Sequence, residues 1–243
     1  VKENQQYQPL RLLVDFLRVW YDQKGLENRA AVLSDTGLSR LYLETALQRN
    51  TTEGNLRKRL LLDDFQCALP APLSSDQTNR LVKLPDSVLA ALSASLEHPE
   101  QAVQRIAQAI AEENEEGLVE QVAEVLIERS IVFRESGDIE RTIADCTTVL
   151  DLDGISVEMV AMALFYRGVV YGQSGDIARA IEDYNSVVGL WGAPVDWVAK
   201  AYYNRGIAWH QTNQKQAALQ DFLWVTQNKD APLEVVIYSY LFL

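Results

Sequence analysis

The feature that most constrains the fold is a sequence repeat with a period of 38 residues. Ala123–Leu150 and Ala161–Val188 agree at 12 of 28 aligned positions, and Ala161–Val188 and Ala199–Thr226 agree at 8 of 28. Self-similarity at a fixed period of about 20 to 50 residues is typical of proteins that bury their core by stacking one small unit on the next. The repeat therefore predicts an array of helical hairpins and favours a binding scaffold.

Each repeat divides into two predicted helices joined by a short turn. In the second repeat these helices span Val157–Gln173 and Ile177–Leu190. Gly175 can adopt the left-handed backbone of a helix end, and Asp176 can cap the helix that follows. The third repeat has Asn213 in place of the glycine, and asparagine is the usual substitute there.

Small and large apolar residues alternate across the two helices of each repeat. The pattern comprises Leu164, Arg167, Gly168, Tyr171, Ala180 and Tyr184, and again Tyr202, Arg205, Gly206, Trp209, Ala218 and Phe222. It resembles the tetratricopeptide repeat, and the resemblance covers about Leu118–Leu243. It implies a solenoid, a right-handed superhelix of antiparallel helix pairs whose first helices line a concave binding groove. The period of 38 exceeds the family's usual ~34, with the surplus between the repeats.

The resemblance also implies which residues line that groove. Aligning the family's groove positions selects Glu124, Ile127, Glu128 and Ile131 in the first repeat, Met162, Phe165, Tyr166 and Val169 in the second, and Lys200, Tyr203, Asn204 and Ile207 in the third. The family's clamp for a terminal carboxylate needs lysines and asparagines in several repeats, and only Lys200 and Asn204 match it. The remaining strip is apolar and aromatic with an acidic end, which suits a helix or an apolar peptide. Packing of this strip against the chain's own N-terminal bundle or against further repeats is the alternative.

Arginine recurs in all three repeats where the family has leucine, and aspartate recurs in step with it. The residues are Arg129, Arg167 and Arg205, with Asp145, Asp183 and Asp221. We predict that each arginine forms an ion pair or hydrogen bond with an aspartate, in its own hairpin or with a neighbour. The alternative is a row of arginines that face an acidic ligand.

Charge and motif content exclude several classes of protein. Residues 1–84 carry 12 basic and 10 acidic side chains, whereas residues 85–243 carry 10 basic and 24 acidic ones. The repeat region should therefore repel nucleic acid, and no apolar stretch approaches the ~20 residues of a membrane span. Without a catalytic triad, phosphate loop or metal-ligand spacing, we expect no catalytic residue, metal or cofactor, and no enzyme. Cys67 and Cys146 indicate reduced thiols in a cytoplasmic protein.

The expected organisation is all-α. Residues 1–68 form an N-terminal helical bundle, 69–84 a linker, 85–117 a degenerate helical pair that caps the array, and 118–243 three full repeats plus the start of a fourth. The stretches Leu12–Leu17, Asn28–Leu33 and Thr36–Leu38 look like the small adaptor domains associated with bacterial effector proteins. That resemblance implies that residues 10–65 couple recognition to an effector, and a plain four-helix spacer is the alternative.

The expected function is a non-catalytic scaffold or adaptor that binds a protein or peptide in the groove. It would be the sensor or adaptor part of a larger bacterial signalling or defence protein, and the first residue, Val1, suggests that the chain is a piece of one. One alternative is a regulatory domain or subunit of an enzyme whose catalytic part lies elsewhere. Another is a structural unit that self-associates through the apolar residues Val235–Leu243.

Overall fold

The computed structural model describes residues 58, 61–62, 65–66, 68–71, 73–96, 98–113 and 115–243. The chain divides into two compact units, Val1–Asp64 and Phe65–Leu243. The predicted N-terminal bundle over 1–68 lies outside the described residues, apart from a few helical positions between 58 and 66. The fold given below is that of the second unit.

Where it is described, the second unit is built of helices and contains no strand, which confirms the all-α class. Ten α-helices follow one another, and a short 3-10 turn at Pro99–Gln101 precedes the third. They are α1 (Ser75–Lys83), α2 (Asp86–Ala94), α3 (Ala102–Glu113), α4 (Leu118–Ser136), α5 (Ile139–Leu150), α6 (Val157–Gln173), α7 (Ile177–Gly189), α8 (Val195–Gln211), α9 (Lys215–Gln227) and α10 (Leu233–Tyr240).

Residues 69–84, which we expected to be a linker, contain helix α1 in their second half. Ser74 and Gln77 form a capping box: the Gln77 backbone N–H donates to Ser74 Oγ, and the Ser74 backbone N–H donates to Gln77 Oε1. Such a reciprocal pair satisfies backbone donors at a helix start. Leu81 and Leu84 are buried and hold the helix on the rest of the unit. The capping box and the two leucines specify this helix, which is too short to show a periodic apolar pattern in the sequence.

The turns inside the hairpins have the predicted chemistry. Gly137, Gly175 and Asn213 have left-handed φ angles of 82°, 86° and 62°. The carboxylates of Asp138 and Asp176 accept hydrogen bonds from backbone N–H groups three residues later, at the first turn of α5 and α7. These turns end one helix and start the next within two or three residues, so the two helices of a hairpin run antiparallel.

Two glycines allow the helices of a hairpin to approach closely. A Cβ atom on Gly168 would lie 2.8 Å from Tyr184 Cε1, and one on Gly206 would lie 2.8 Å from Phe222 Cε1. No side chain fits at either distance. The close approach that the alternation of small and aromatic residues predicts is therefore confirmed.

Each hairpin contacts the next one along the chain. The first helices α4, α6, α8 and α10 touch in sequence, and α5, α7 and α9 each contact the first helix that follows. The Glu120 carboxylate, in the first turn of α4, accepts hydrogen bonds from the backbone N–H and the hydroxyl of Ser156, the N-cap of α6, at 3.0 and 2.5 Å. The N-terminal ends of α4 and α6 therefore lie together, and these first helices run parallel.

Candidate functional site

The recurring arginines and aspartates pair within their own hairpins. In each hairpin the arginine Nε and Nη2 donate to the two carboxylate oxygens of the aspartate 16 residues later. The distances are 2.8 and 2.6 Å for Arg129–Asp145, 2.9 and 2.8 Å for Arg167–Asp183, and 2.8 and 2.7 Å for Arg205–Asp221. This two-bond geometry is the strongest that a guanidinium makes with a carboxylate.

The third guanidinium nitrogen, Nη1, reaches the preceding hairpin. Arg167 Nη1 donates to Thr147 Oγ1 of α5 at 3.2 Å, and Arg205 Nη1 donates to Asn185 Oδ1 of α7 at 2.7 Å. Arg129 instead bonds the C-terminal end of α2: its Nη1 donates to the Leu92 carbonyl at 2.7 Å, and its Nη2 donates to the hydroxyl of the C-cap Ser95 at 2.8 Å. All three guanidinium groups are thus engaged inside the unit, and each links one hairpin to the helices before it.

The three arginine–aspartate pairs are buried to different degrees. The Arg129 side chain is 2% exposed, whereas those of Arg167 and Arg205 are 20% and 15% exposed. Burial raises the pKa of the Asp145 carboxyl, and the Arg129 guanidinium opposes that shift. Hydrogen bonding to Asp183 raises the pKa of Arg167. Each arginine therefore fixes the geometry of its hairpin through its hydrogen bonds to the aspartate.

The predicted groove residues fall into two groups. Ile127 and Phe165 are buried and belong to the core, so they support the groove face from beneath and offer no contact to a ligand. The others are half-buried and reach the surface; they are Glu124, Glu128, Ile131, Met162, Tyr166, Val169, Lys200, Tyr203, Asn204 and Ile207.

An aromatic cluster joins the first helices at the centre of this face. The Trp197 ring of α8 lies 5.5 Å from Phe165 and 5.8 Å from Tyr166, both on α6. The Arg134 guanidinium of α4 lies 5.7 Å from the centre of the Tyr166 ring, and Lys200 Nζ lies 4.1 Å from the centre of a Trp197 ring. Sequence reasoning missed Trp197 and Arg134. The signal that could have found Trp197 is its position one helical turn before the predicted groove residue Lys200.

The acidic end of the predicted groove is partly occupied by the chain itself. Arg80 of α1 places Nη1 at 2.5 Å from Glu128 Oε1 and 3.4 Å from Glu124 Oε2. Burial raises the pKa of Glu128, and the charge of Arg80 opposes that rise. The segment that contacts this end is α1, which lies in the expected linker; whether the N-terminal bundle packs on the strip falls outside the described residues.

The C-terminal residues cover the other end of the face. The Tyr203 ring lies 6.3 Å from both Tyr238 and Phe242, and Phe242 stacks on Phe222 with ring centres 4.8 Å apart. Val235 of this segment is buried, whereas Leu233, Ile237, Tyr240 and Leu241 are exposed. The open part of the strip is therefore its middle, over α6 and the adjoining faces of α4 and α8.

No group of three or more His, Cys, Asp or Glu side chains in the described ranges is placed to hold a metal ion. None of the helices described is both long and apolar enough to cross a bilayer. No protein-family model matches the chain, and no curated protein matches it either. The function is therefore inferred from the geometry of the groove.

Proposed function

We propose that the chain is a tetratricopeptide-like scaffold that binds a peptide or helix of another protein on the face formed by α4, α6 and α8. The observation that carries the proposal is a strip of half-buried apolar and aromatic side chains on successive first helices. Ile131, Val169 and Ile207 occupy equivalent positions of the three repeats, and Met162 and Tyr166 of α6 complete the strip. A surface of this kind is typical of sites that take the apolar face of a helix.

The dimensions of the face suit a short helix. Packed helices lie about 8–10 Å apart, so three successive first helices span roughly 20 Å. A ligand helix of about 13 residues has that length at 1.5 Å per residue. It would present apolar residues at every third or fourth position to the strip, with Tyr166 and Trp197 as aromatic anchors.

The charge of the repeat region supports a protein partner. Residues 85–243 hold 24 acidic and 10 basic side chains, and three of those basic side chains are Arg129, Arg167 and Arg205, which already pair with aspartates. Few cations remain to neutralise phosphates, on which nucleic-acid affinity chiefly depends.

The test is the variant Val169→Asn/Ile207→Asn, which makes the strip polar without adding charge. Leu219→Asn is the matched control, because Leu219 is an exposed apolar residue on the second helix α9. Partners captured from the source cells by the wild-type chain are purified and titrated against all three proteins. We expect the double variant to lose binding and the control to retain it; equal binding by all three would refute the groove as the site.

Self-association through α10 is a second candidate, favoured by one observation. Leu241 is 77%, Leu233 74% and Tyr240 60% exposed, and contiguous apolar surface of this kind typically marks an interface. Light scattering of the wild-type chain over a range of concentrations should then show a dimer, and Leu233→Asp/Leu241→Asp should be monomeric. A wild-type chain that stays monomeric at its highest soluble concentration would refute this candidate.

A further inference from the structure

The contact between α1 and the groove shows what chemistry the acidic end accepts. Arg80 bonds Glu128 and approaches Glu124, both of which lie on the groove side of α4. The neighbouring Leu81 is buried. Within the chain itself, this end of the groove therefore binds a helix that carries a basic residue next to a buried apolar one.

The Arg80 ion pair is weak enough to be exchanged, whereas the buried Leu81 and Leu84 keep α1 in place. The Arg80 side chain is 47% exposed, and ion pairs at such exposure contribute little to stability because water screens them. The α1 helix has nine residues, too few to be stable without its packing. Burial still raises the pKa of Glu128 in the presence of Arg80, so a better-placed cation would stabilise this carboxylate further.

We propose that Glu124 and Glu128 recognise a basic side chain on an amphipathic helix of the partner, which displaces Arg80 of α1. The apolar face of that helix then lies on the strip around Tyr166 and Val169. This inference rests on the proposed function, since it names the partner's chemistry at the same groove.

Charge complementarity favours a basic occupant over an acidic one. The repeat region is acidic overall, with 24 acidic against 10 basic side chains over residues 85–243. Among the predicted groove residues that the structure describes, Lys200 is the one cation, and its Nζ lies over the Trp197 ring, while Arg134 of α4 lies over Tyr166. An acidic helix would therefore meet repulsion at the end that holds Glu124 and Glu128.

The test uses two synthetic helices as probes. Both have 16 residues and the same leucine–alanine apolar face, but one carries four arginines on its polar face and the other four glutamates. Binding to the full chain is measured by fluorescence anisotropy at low and at raised salt. We expect the arginine helix to bind, with an affinity that falls as salt rises, and the glutamate helix not to bind.

Two variants test the residues named. Glu124→Gln/Glu128→Gln should weaken binding of the arginine helix roughly tenfold, because two charge-assisted contacts are lost. Arg80→Ala should strengthen binding by up to about fivefold, because α1 then lacks the guanidinium that competes for these carboxylates. The matched control is Glu140→Gln/Glu182→Gln, which changes two exposed carboxylates on the second helices α5 and α7 and should leave the affinity unchanged.

The outcomes separate this inference from the proposed function. Equal binding of both probes, or wild-type affinity in the Glu124→Gln/Glu128→Gln chain, would overturn recognition of a basic residue. An unchanged affinity in the Arg80→Ala chain would overturn displacement of Arg80. If Val169→Asn/Ile207→Asn abolishes binding while Glu124→Gln/Glu128→Gln does not, the groove is supported as the binding site and recognition of a basic residue is refuted. If Val169→Asn/Ile207→Asn has no effect, the groove itself is refuted.

Discussion

The buried Arg129 guanidinium offers the sharpest test of how the hairpins are held together. It makes four hydrogen bonds of 2.6–2.8 Å, two to Asp145, one to the Leu92 carbonyl and one to the Ser95 hydroxyl. Arg129→Met keeps much of the side chain's length and apolar packing but removes all four. It leaves the Asp145 carboxylate buried without a cation.

The expected loss is large because one partner of a buried pair remains. Removing one partner typically costs about 3–5 kcal/mol. The Leu92 carbonyl and the Ser95 hydroxyl each lose their bond to Arg129 but keep the one between them at 2.7 Å, and these two losses add roughly 1 kcal/mol. We expect Arg129→Met to lower the free energy of unfolding by about 4–6 kcal/mol. Arg129→Met/Asp145→Leu should recover about half or more of that loss, because no buried charge then lacks a partner.

The pH dependence of the single variant follows from the Asp145 carboxyl. Burial already raises its pKa, and removal of Arg129 raises it further. At a pH below this raised pKa the carboxyl is protonated in the folded variant and no charge is buried. The destabilisation caused by Arg129→Met should therefore be greatest at a pH above this raised pKa and shrink as the pH falls through it.

Urea unfolding monitored by circular dichroism measures these differences, with an unchanged m-value as the condition for comparison. Arg205→Met is the matched control, because its side chain is 15% exposed and the loss should be smaller. A cost below about 1 kcal/mol for Arg129→Met, or a double variant no more stable than the single one, would contradict the reasoning.

Three further predictions concern single residues. Gly206→Ala should lower the free energy of unfolding by about 1–3 kcal/mol, because the added methyl group meets the Phe222 ring. Gly189→Ala is the control: its methyl group would meet no neighbouring atom within 4 Å, so it should be neutral or stabilising. Equal effects of the two variants would contradict this. Burial raises the pKa of the Cys146 thiol from 9.0 to about 12, so the unfolded chain loses this proton first. Stability should be full below pH 9 and then fall by about 1.4 kcal/mol per pH unit, and Cys146→Ala should remove this part of the slope in unfolding curves between pH 8.5 and 10.5. Trp191 is 92% exposed, so Trp191→Ala should change the free energy of unfolding by less than about 0.5 kcal/mol, and a larger loss would show that the ring is covered.

The helical hairpins of the repeats were accessible to sequence reasoning because local signals agree with the period. Gly175 and Asp176 mark a turn, and α6 spans Val157–Gln173, as predicted. Helix α1 was not accessible, because a nine-residue helix with a capping box shows too few apolar positions for a pattern. Its place on α4 depends on Leu81 and Leu84, whose burial follows from tertiary packing.

The candidate site could be predicted from the sequence only where the same residue type recurs at the same position of each repeat. Arginine and aspartate recur at the same two positions of each repeat, so their pairing can be predicted. The third partner of each arginine differs, being Thr147, Asn185 or the carbonyl of Leu92, and a carbonyl carries no sequence signal. Phe165 was assigned to the groove by its helix position, but the Tyr184 and Trp197 rings pack against it and bury it.

Photocrosslinking tests the central claim, a protein ligand on the face of α4, α6 and α8, most directly. A photoreactive phenylalanine derivative is placed singly at Val169, at Ile207 and, on the second helix α9, at Leu219, and the chains are irradiated in their source cells. We predict that Val169 and Ile207 give the same crosslinked partner and that Leu219 gives none. A partner crosslinked at Leu219 with nothing at Val169 or Ile207 would contradict the account.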